Sequence, residues 1–256
     1  MNNKKIVDSI KEFVEQEVQL GKDVNKYKRN SNPSVFFKNH NIKVALDKCK
    51  EIILSEETKF ELGGMNKQSS SLIYPIKEAE LIEDGKIVLI GKEIRDIVEK
   101  DLDFGLFITI GSKESTEKQI EDLKHFSFIS NGIEGFMIRS VPQKFWCRLS
   151  SEIVKKGFSF EFLGNAILYL YKEKFGNLIE AMEILIINSY ADSINKFIEI
   201  TSEIRQERKE KWAKRVEEWK KRADCDYEWD CKECPYYDTC DLVRDVLEER
   251  TKIEKT

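Results

Sequence analysis

Three short apolar runs constrain this chain most. KIVLIG (86–91), GLFITIG (105–111) and MEILIIN (182–188) are rich in β-branched residues and end at glycine or asparagine. Runs of that length and make-up fit buried strands and are too short for a packed helix. The first run follows Glu83, Asp84 and Gly85, whose residue types mark a turn, not a catalytic carboxylate pair. LIY (72–74), GFMIRS (135–140) and KFWCRLS (144–150) read as further strands. Pro142 is expected to interrupt any continuous ladder between the last two.

Helical periodicity runs between and around these strands. It covers 4–20, where Ile6, Ile10, Phe13, Val14 and Val18 share a face, and 41–55, through Val44, Ala45, Cys49, Ile52 and Ile53. It returns over 115–130, 160–175 and 241–252. Residues 190–222 read as one long helix, with Phe197, Ile200 and Ile204 continued by Trp212, Val216 and Trp219. Polar residues 21–34 read as a linker and 61–71 as a flexible loop. The expected fold class is α+β. A mixed sheet with packed helices occupies 58–205, preceded by a helical N-terminal extension over 1–57. Residues 206–256 hold the end of the long helix and a small cysteine-rich lobe.

With 256 residues and 41% apolar side chains, a sizeable core is expected. The net charge of −4 gives no global basic footprint for nucleic acid. Residues 203–222 carry nine Lys/Arg and five Glu. Such a run reads as a solvated, ion-paired helix face, with a docking surface for an acidic partner as the alternative. No apolar stretch approaches membrane-spanning length, so no membrane association is expected. The N-terminus lacks the apolar core of a signal peptide, so the expected compartment is the cytoplasm. Cysteines stay reduced there, and a tight group of them reads as a metal site before it reads as disulfides.

Such a group occurs once. Cys225, Cys231, Cys234 and Cys240 follow the spacing C-x5-C-x2-C-x5-C. Four thiolates this close repel one another, and a cation removes that cost by binding the deprotonated sulfurs. Zinc and a [4Fe–4S] cluster both accept four thiolates. Three features favour iron–sulfur. Pro235 follows a ligand directly, Trp229, Tyr236 and Tyr237 are placed to shield a cluster, and the spacing is not that of two separated zinc knuckles. Structural zinc is the alternative, and disulfides or unligated thiols are the third possibility. Cys49 and Cys147 lie in apolar surroundings and read as small core residues.

The order of segments carries a family resemblance. KFELGG (59–64), AELIEDGKIVLIGKEIRDI (79–97), FSFISNGIEGFMIRS (126–140), KFWCRLSSEIVKKGFSFEFLGNAILYLYKEKF (144–175) and MEILIINSYADSINKFIEITSEIRQER (182–208) occur in sequence. Together they resemble the middle domain of acetyl-CoA synthase, the β subunit of the CO dehydrogenase/acetyl-CoA synthase complex. Asn131, Gly135 and Met137 match that family's helix-to-strand turn, while Lys92 stands where the family usually has proline. The resemblance implies coenzyme A binding through Trp146 and Arg148, the family's W-x-R position, with Arg139 close by. An indole can stack on adenine and guanidinium groups can pair with phosphates.

The resemblance also has limits. Cys231 and Cys234 occupy the place of the family's first C-x2-C, but Cys225 and Cys240 depart from its spacing, and no Cys-Gly-Cys nickel motif occurs. Complete acetyl-CoA synthesis is therefore not expected of these residues. The family's N-terminal docking domain is expected to be missing, since 1–55 is too short to replace it. The expectation is an iron–sulfur accessory protein of one-carbon metabolism, exchanging electrons with or docking on a corrinoid protein, methyltransferase or CO dehydrogenase. The alternatives are a zinc-stabilised binding module and one chain of a split synthase. His40 and His125 have no serine or cysteine partner that would make a hydrolase triad, and no P-loop or dinucleotide fingerprint is present.

Overall fold

The computed structural model describes residues 3–47, 49, 52–64, 66–113, 116–124, 127–141, 144–207, 209–210 and 213–214. The chain divides into two compact units, Met1–Ile200 and Thr201–Thr256. The class is α+β, with two mixed sheets and several helices. No helix among the described residues is long and apolar enough to cross a membrane.

In chain order the first unit contains α1 (Asn3–Gln19), β1 (Val24–Lys28), α2 (Pro33–His40), β2 (Thr58–Leu62), β3 (Ser69–Ile76), β4 (Lys86–Ile90), β5 (Asp101–Leu102) and β6 (Phe104–Ser112). There follow α3 (Glu117–Leu123), α4 (Ser127–Ser130), β7 (Phe136–Val141), β8 (Lys144–Ser150), α5 (Ser151–Lys155), α6 (Phe160–Phe175), β9 (Ile179–Asn188) and α7 (Ala191–Ile200). The larger sheet has the order β1-β4-β9-β6-β3 and the smaller β5-β2-β8-β7. The three apolar runs become β4, β6 and β9, the centre of the larger sheet. β4 pairs with β9 in parallel, and β6 with β9 in antiparallel.

These strands are apolar at nearly every position because both faces are covered. One face carries Val88, Ile90, Phe107, Leu185 and Ile187, all buried. α7 packs there, with Phe197 edge-on to Phe107 at 5.4 Å. α1 packs on α7 and is fastened to it by polar contacts. The buried Glu17 accepts a hydrogen bond from Ser193 and pairs with Lys22 at 2.9 Å, and Lys22 also reaches Asp192 at 2.5 Å. Burial alone would lower the Lys22 pKa, but hydrogen bonds to Asp192 and Glu17 outweigh it and raise it.

The opposite face joins one apolar core with α6 and the inner face of the smaller sheet. α6 starts at Ser159, whose side chain accepts from Phe162 N. Glu93, just after β4, accepts a second bond at that end, from Phe160 N at 3.1 Å. The helix is buried on most of its circumference, from Phe160 and Phe162 to Leu170 and Tyr171. Gly164 lets it approach β4 closely. A Cβ at this position would lie 2.7 Å from Ile87 Cγ2.

Several local expectations are corrected. Residues 21–34 are not a linker, because Val24–Lys28 forms edge strand β1, paired antiparallel with β4. Its polar sequence hid the strand, since an edge strand has fewer positions to bury. Residues 41–55 do not form a helix in their described part. Asn41 closes α2 in a left-handed conformation, φ 51°, donating its N–H to Lys38 O. The chain then spends its hydrogen bonds on the 131–134 turn: Ala45 N donates to Gly132 O, Cys49 N to Asn131 O and Glu134 N to Lys43 O. Ile42, Cys49 and Ile53 are buried at spacings a helix would also give, so it is these remote hydrogen-bond partners, not the burial pattern, that set the segment apart.

The expected loop over 61–71 instead contains the end of β2 and the start of β3. The expected helix over 115–130 is two short helices, α3 and α4. α7 ends at Ile200 with a turn at Thr201, and helical backbone occupies 202–207 of the second unit. There Arg205 Nε donates to Thr201 Oγ1 at 3.0 Å. Glu83 and Asp84 are turn residues, as expected. Asp84 accepts from Met182 N and pairs with Arg29 and Lys172. Pro142 lies outside the described residues, but the ladder it is expected to interrupt is continuous from Phe136↔Leu149 to Val141↔Lys144. His125 and the proposed helix over 241–252 also lie outside the described residues.

Two measurements check this packing. Gly164→Ala gains helix propensity of up to ~1 kcal/mol, yet the clash with Ile87 makes it a net loss of ~1–3 kcal/mol. Urea unfolding should show that loss, and Ile87→Val in the same chain should recover part of it. Glu134 tests the 43–49 segment. Burial alone would raise its pKa, but the hydrogen bond from Lys156 and that from Lys43 N lower it below the ordinary 4.5. Its contribution to stability is therefore complete above the unfolded pKa and disappears as pH falls through the lower folded value. Glu134→Gln should flatten the acid limb of a stability–pH curve and leave the curve's shape near pH 7 unaltered.

Candidate functional site

The smaller sheet presents two different faces because β8 alternates strictly. Phe145, Cys147 and Leu149 point into the core and are buried, whereas Trp146 and Arg148 point outward and are half-buried. The neighbouring strands keep this register. Leu62 and Ile138 lie opposite Cys147, and Phe136 lies opposite Leu149. On the outer face Arg139 lies directly opposite Trp146, while Met137 and Glu61 flank Arg148 from either side. The three residues proposed for coenzyme A therefore share one face of one sheet.

Their commitments differ. Arg148 Nε donates to Glu61 Oε2 at 3.0 Å and Nη1 donates to the Ile53 carbonyl at 3.1 Å. The Arg148 and Glu61 side chains are 25% and 19% exposed, so the pair is screened from water far better than a surface ion pair. Arg139 is exposed and makes no hydrogen bond or ion pair among the described residues. Trp146 likewise has no ring or cation partner among them. An indole and a guanidinium across one rung, both uncommitted, can take a flat ring and an anionic group.

The sequence reading did not single out Glu61 or Ile53. Glu61 stands 87 residues from Arg148 and meets it only through β2–β8 pairing. No local spacing carries that contact. KFELGG stands out only for the family resemblance, and Glu61 itself falls in the stretch expected to be a loop.

Cys147 is fully buried, and desolvation holds its thiol pKa well above the ordinary value, so it has neither exposure nor thiolate character. Cys49 is buried too, with its Sγ 3.9 Å from the Lys43 carbonyl. Both match the expectation of core cysteines. His40 is held within its own helix, its Nδ1 2.8 Å from Phe36 O, with its ring against Phe36 and Phe162. Cys225, Cys231, Cys234 and Cys240 lie outside the described residues. Among the described residues no group of three or more His, Cys, Asp or Glu side chains is arranged to hold a metal ion.

Comparisons with known proteins support the family resemblance read from the order of segments. Residues 41–192 match the family described as "CO dehydrogenase/acetyl-CoA synthase complex beta subunit". The chain belongs to that family. Its relatives include the acetyl-CoA decarbonylase/synthase complex subunit beta of Methanopyrus kandleri, 30% identical over 164 residues. The same subunit of Methanothermobacter thermautotrophicus is 28% identical over 156 residues. The carbon monoxide dehydrogenase/acetyl-CoA synthase subunit alpha of Moorella thermoacetica is 29% identical over 161. These matches take in 63%, 60% and 62% of this chain, but only 34%, 33% and 22% of the respective relatives. The shared part is thus about a third of the length of two of these relatives and less of the other.

Proposed function

We propose that this chain is an acetyl-CoA-synthase-like accessory protein of one-carbon metabolism. It carries a [4Fe–4S] cluster on Cys225, Cys231, Cys234 and Cys240 and binds coenzyme A on the Trp146–Arg139 face. Its partner is of the CO dehydrogenase, corrinoid or methyltransferase kind, to which it passes electrons or on which it docks. One observation carries the reading: the family match stops at residue 192, and the four-cysteine segment follows it.

The chemistry of the donor set supports the cluster. Four soft thiolates suit iron–sulfur, and the Pro235 and aromatic flanks suit a cluster held away from water. When bound, such a cluster supplies one-electron transfer. The 256 residues contain no Cys-Gly-Cys, so they do not offer the nickel ligands that the family resemblance would require. The names of the relatives place them in complexes that handle CO and acetyl-CoA, which supports the same metabolic setting here.

Anaerobic purification followed by metal and sulfide analysis tests the cluster. About four iron and four sulfide per chain are expected, with no nickel, and both should be lost in Cys231→Ser. One zinc per chain without iron would replace the electron-transfer reading with that of a zinc-stabilised binding module. Nickel retained only together with a co-purifying second chain would favour a split synthase. The coenzyme A face is tested by quenching of Trp146 fluorescence, read as the difference between the parent protein and Trp146→Phe. No response in the parent would end that part of the proposal.

A further inference from the structure

The family resemblance gives Arg148 and Arg139 the same role, but the structure separates them. Arg148 has its Nε on Glu61 and its Nη1 on the Ile53 carbonyl, and both partners belong to this chain. Ile53 opens the turn that leads into β2. That turn is closed by Glu57 N donating to Leu54 O and by Thr58 Oγ1 donating to Leu54 O at 2.7 Å. A third cation, Lys100, reaches the Ser55 carbonyl at 3.4 Å. Arg148 therefore sits at the junction of β8, β2 and this turn, one alternate position along β8 from Trp146. Arg139, across the rung from Trp146, touches none of these groups.

We infer that Arg148 is a positioning residue that clamps the 53–58 turn and Glu61 beside Trp146, and that Arg139 is the cation on this face that meets the anionic group of a ligand. Two of the five N–H donors of Arg148 are committed to acceptors in this chain and Glu61 offsets its charge, so its remaining donors attract a phosphate less, and turning the whole fork to a ligand would unpair Glu61. An exposed guanidinium without partners pairs with a phosphate at no such cost. The inference rests on the coenzyme A reading for its ligand, while the clamp itself is independent of it.

The two roles predict opposite signs for one variant. Glu61→Gln removes the negative charge that Arg148 faces. If Arg148 met the ligand, this change would free its charge and tighten coenzyme A binding. In the positioning role it loosens the clamp and weakens binding severalfold, as does Arg148→Met. Arg139→Gln should weaken binding about tenfold, the scale of one charge-assisted pair, and flatten its salt dependence. Titration calorimetry of the full chain with coenzyme A over a salt series reads all three. Glu61→Arg with Arg148→Glu restores an ion pair of reversed sense but no donor for the Ile53 carbonyl, so it should regain only part of the lost affinity. Tighter binding in Glu61→Gln, or a flattened salt dependence in Arg148→Met with Arg139→Gln unaffected, overturns the inference.

The ligand-free protein gives a second reading. Cleavage by a glutamate-specific protease at the exposed Glu56 should accelerate in Glu61→Gln and more so in Arg148→Met, which loses both bonds of the clamp. Unchanged cleavage overturns the clamp. If the parent binds no coenzyme A, the ligand proposal fails, and the cleavage rates alone still decide whether Arg148 is a clamp.

Discussion

The close approach of α6 to β4 is the contact on which the first unit depends. α6 has sheet on one side and the aromatic cluster of α2 on the other, where Phe36 and Phe37 meet Phe162. A helix buried this fully has no polar face to offer, which is why its sequence, FEFLGNAILYLYKEKF, is apolar almost all round until its last turn. Its two buried side chains with polar ends, Asn165 and Tyr171, both have partners. Asn165 Nδ2 returns to Glu161 O, Asn165 Oδ1 accepts from Asn30 N, and the Tyr171 hydroxyl donates to Leu123 O. Through Asn30 and Leu123 these bonds tie distant segments to α6. Burial raises the Tyr171 pKa far above the ordinary phenol value, so the hydroxyl remains a donor across the physiological range.

The same economy applies at the C-terminal ends of β4 and β9. Asn188 is fully buried. Its Oδ1 accepts from Lys92 N and Ser189 Oγ, and its Nδ2 donates to Lys92 O. Gly91 stands beside it with φ 134°, and a Cβ there would lie 2.5 Å from Asn188 Oδ1. The glycine that ends the apolar run KIVLIG is thus required by backbone conformation and by its buried neighbour together. Next to it, Glu93 accepts from Tyr27 at 2.6 Å and from Phe160 N, joining the edge strand to the start of α6. Side-chain carboxylates and amides, more than apolar contact alone, fix where the elements begin and end.

Much of this was legible in the sequence, and what was hidden has a common cause. The central strands β4, β6 and β9 and the helix α6 announce themselves because burial on both faces leaves an unbroken apolar signature. Alternation along KFWCRLS puts Phe145 and Cys147 on one face and Trp146 and Arg148 on the other, and burial shows that the first face is inward. The missed elements are those whose partners are remote. β1 is a polar strand recognisable only from β4, more than fifty residues away by register Val24↔Ile90. Segment 41–55 has the composition of a helix, but Asn41 stops α2 and the 131–134 turn supplies the partners a helix would have supplied itself. The Arg148 clamp was hidden for the same reason. Its residue types were visible, whereas its pairing belongs to the sheet.

The candidate face and the core are consequences of one register. A slip of β8 by one residue would turn Trp146 and Arg148 inward and place Phe145, Cys147 and Leu149 in water. Two features oppose that slip. β7 and β8 form a hairpin whose pairing runs unbroken from Val141↔Lys144 to Phe136↔Leu149. On the other side β2 reaches its partner through an irregularity between Thr58 and Phe60, after which Glu61↔Arg148 and Leu62↔Cys147 follow in step. The rung through Arg148 therefore has an ion pair on its outer face, and the next rung has an apolar contact on its inner face. Each would be lost if the other moved. A half-buried cation on this face is stabilised only with its carboxylate opposite, so the pair serves the register as well as the turn. Trp146 and Arg139, with no such obligations, are left as the part of this face that the fold itself does not use.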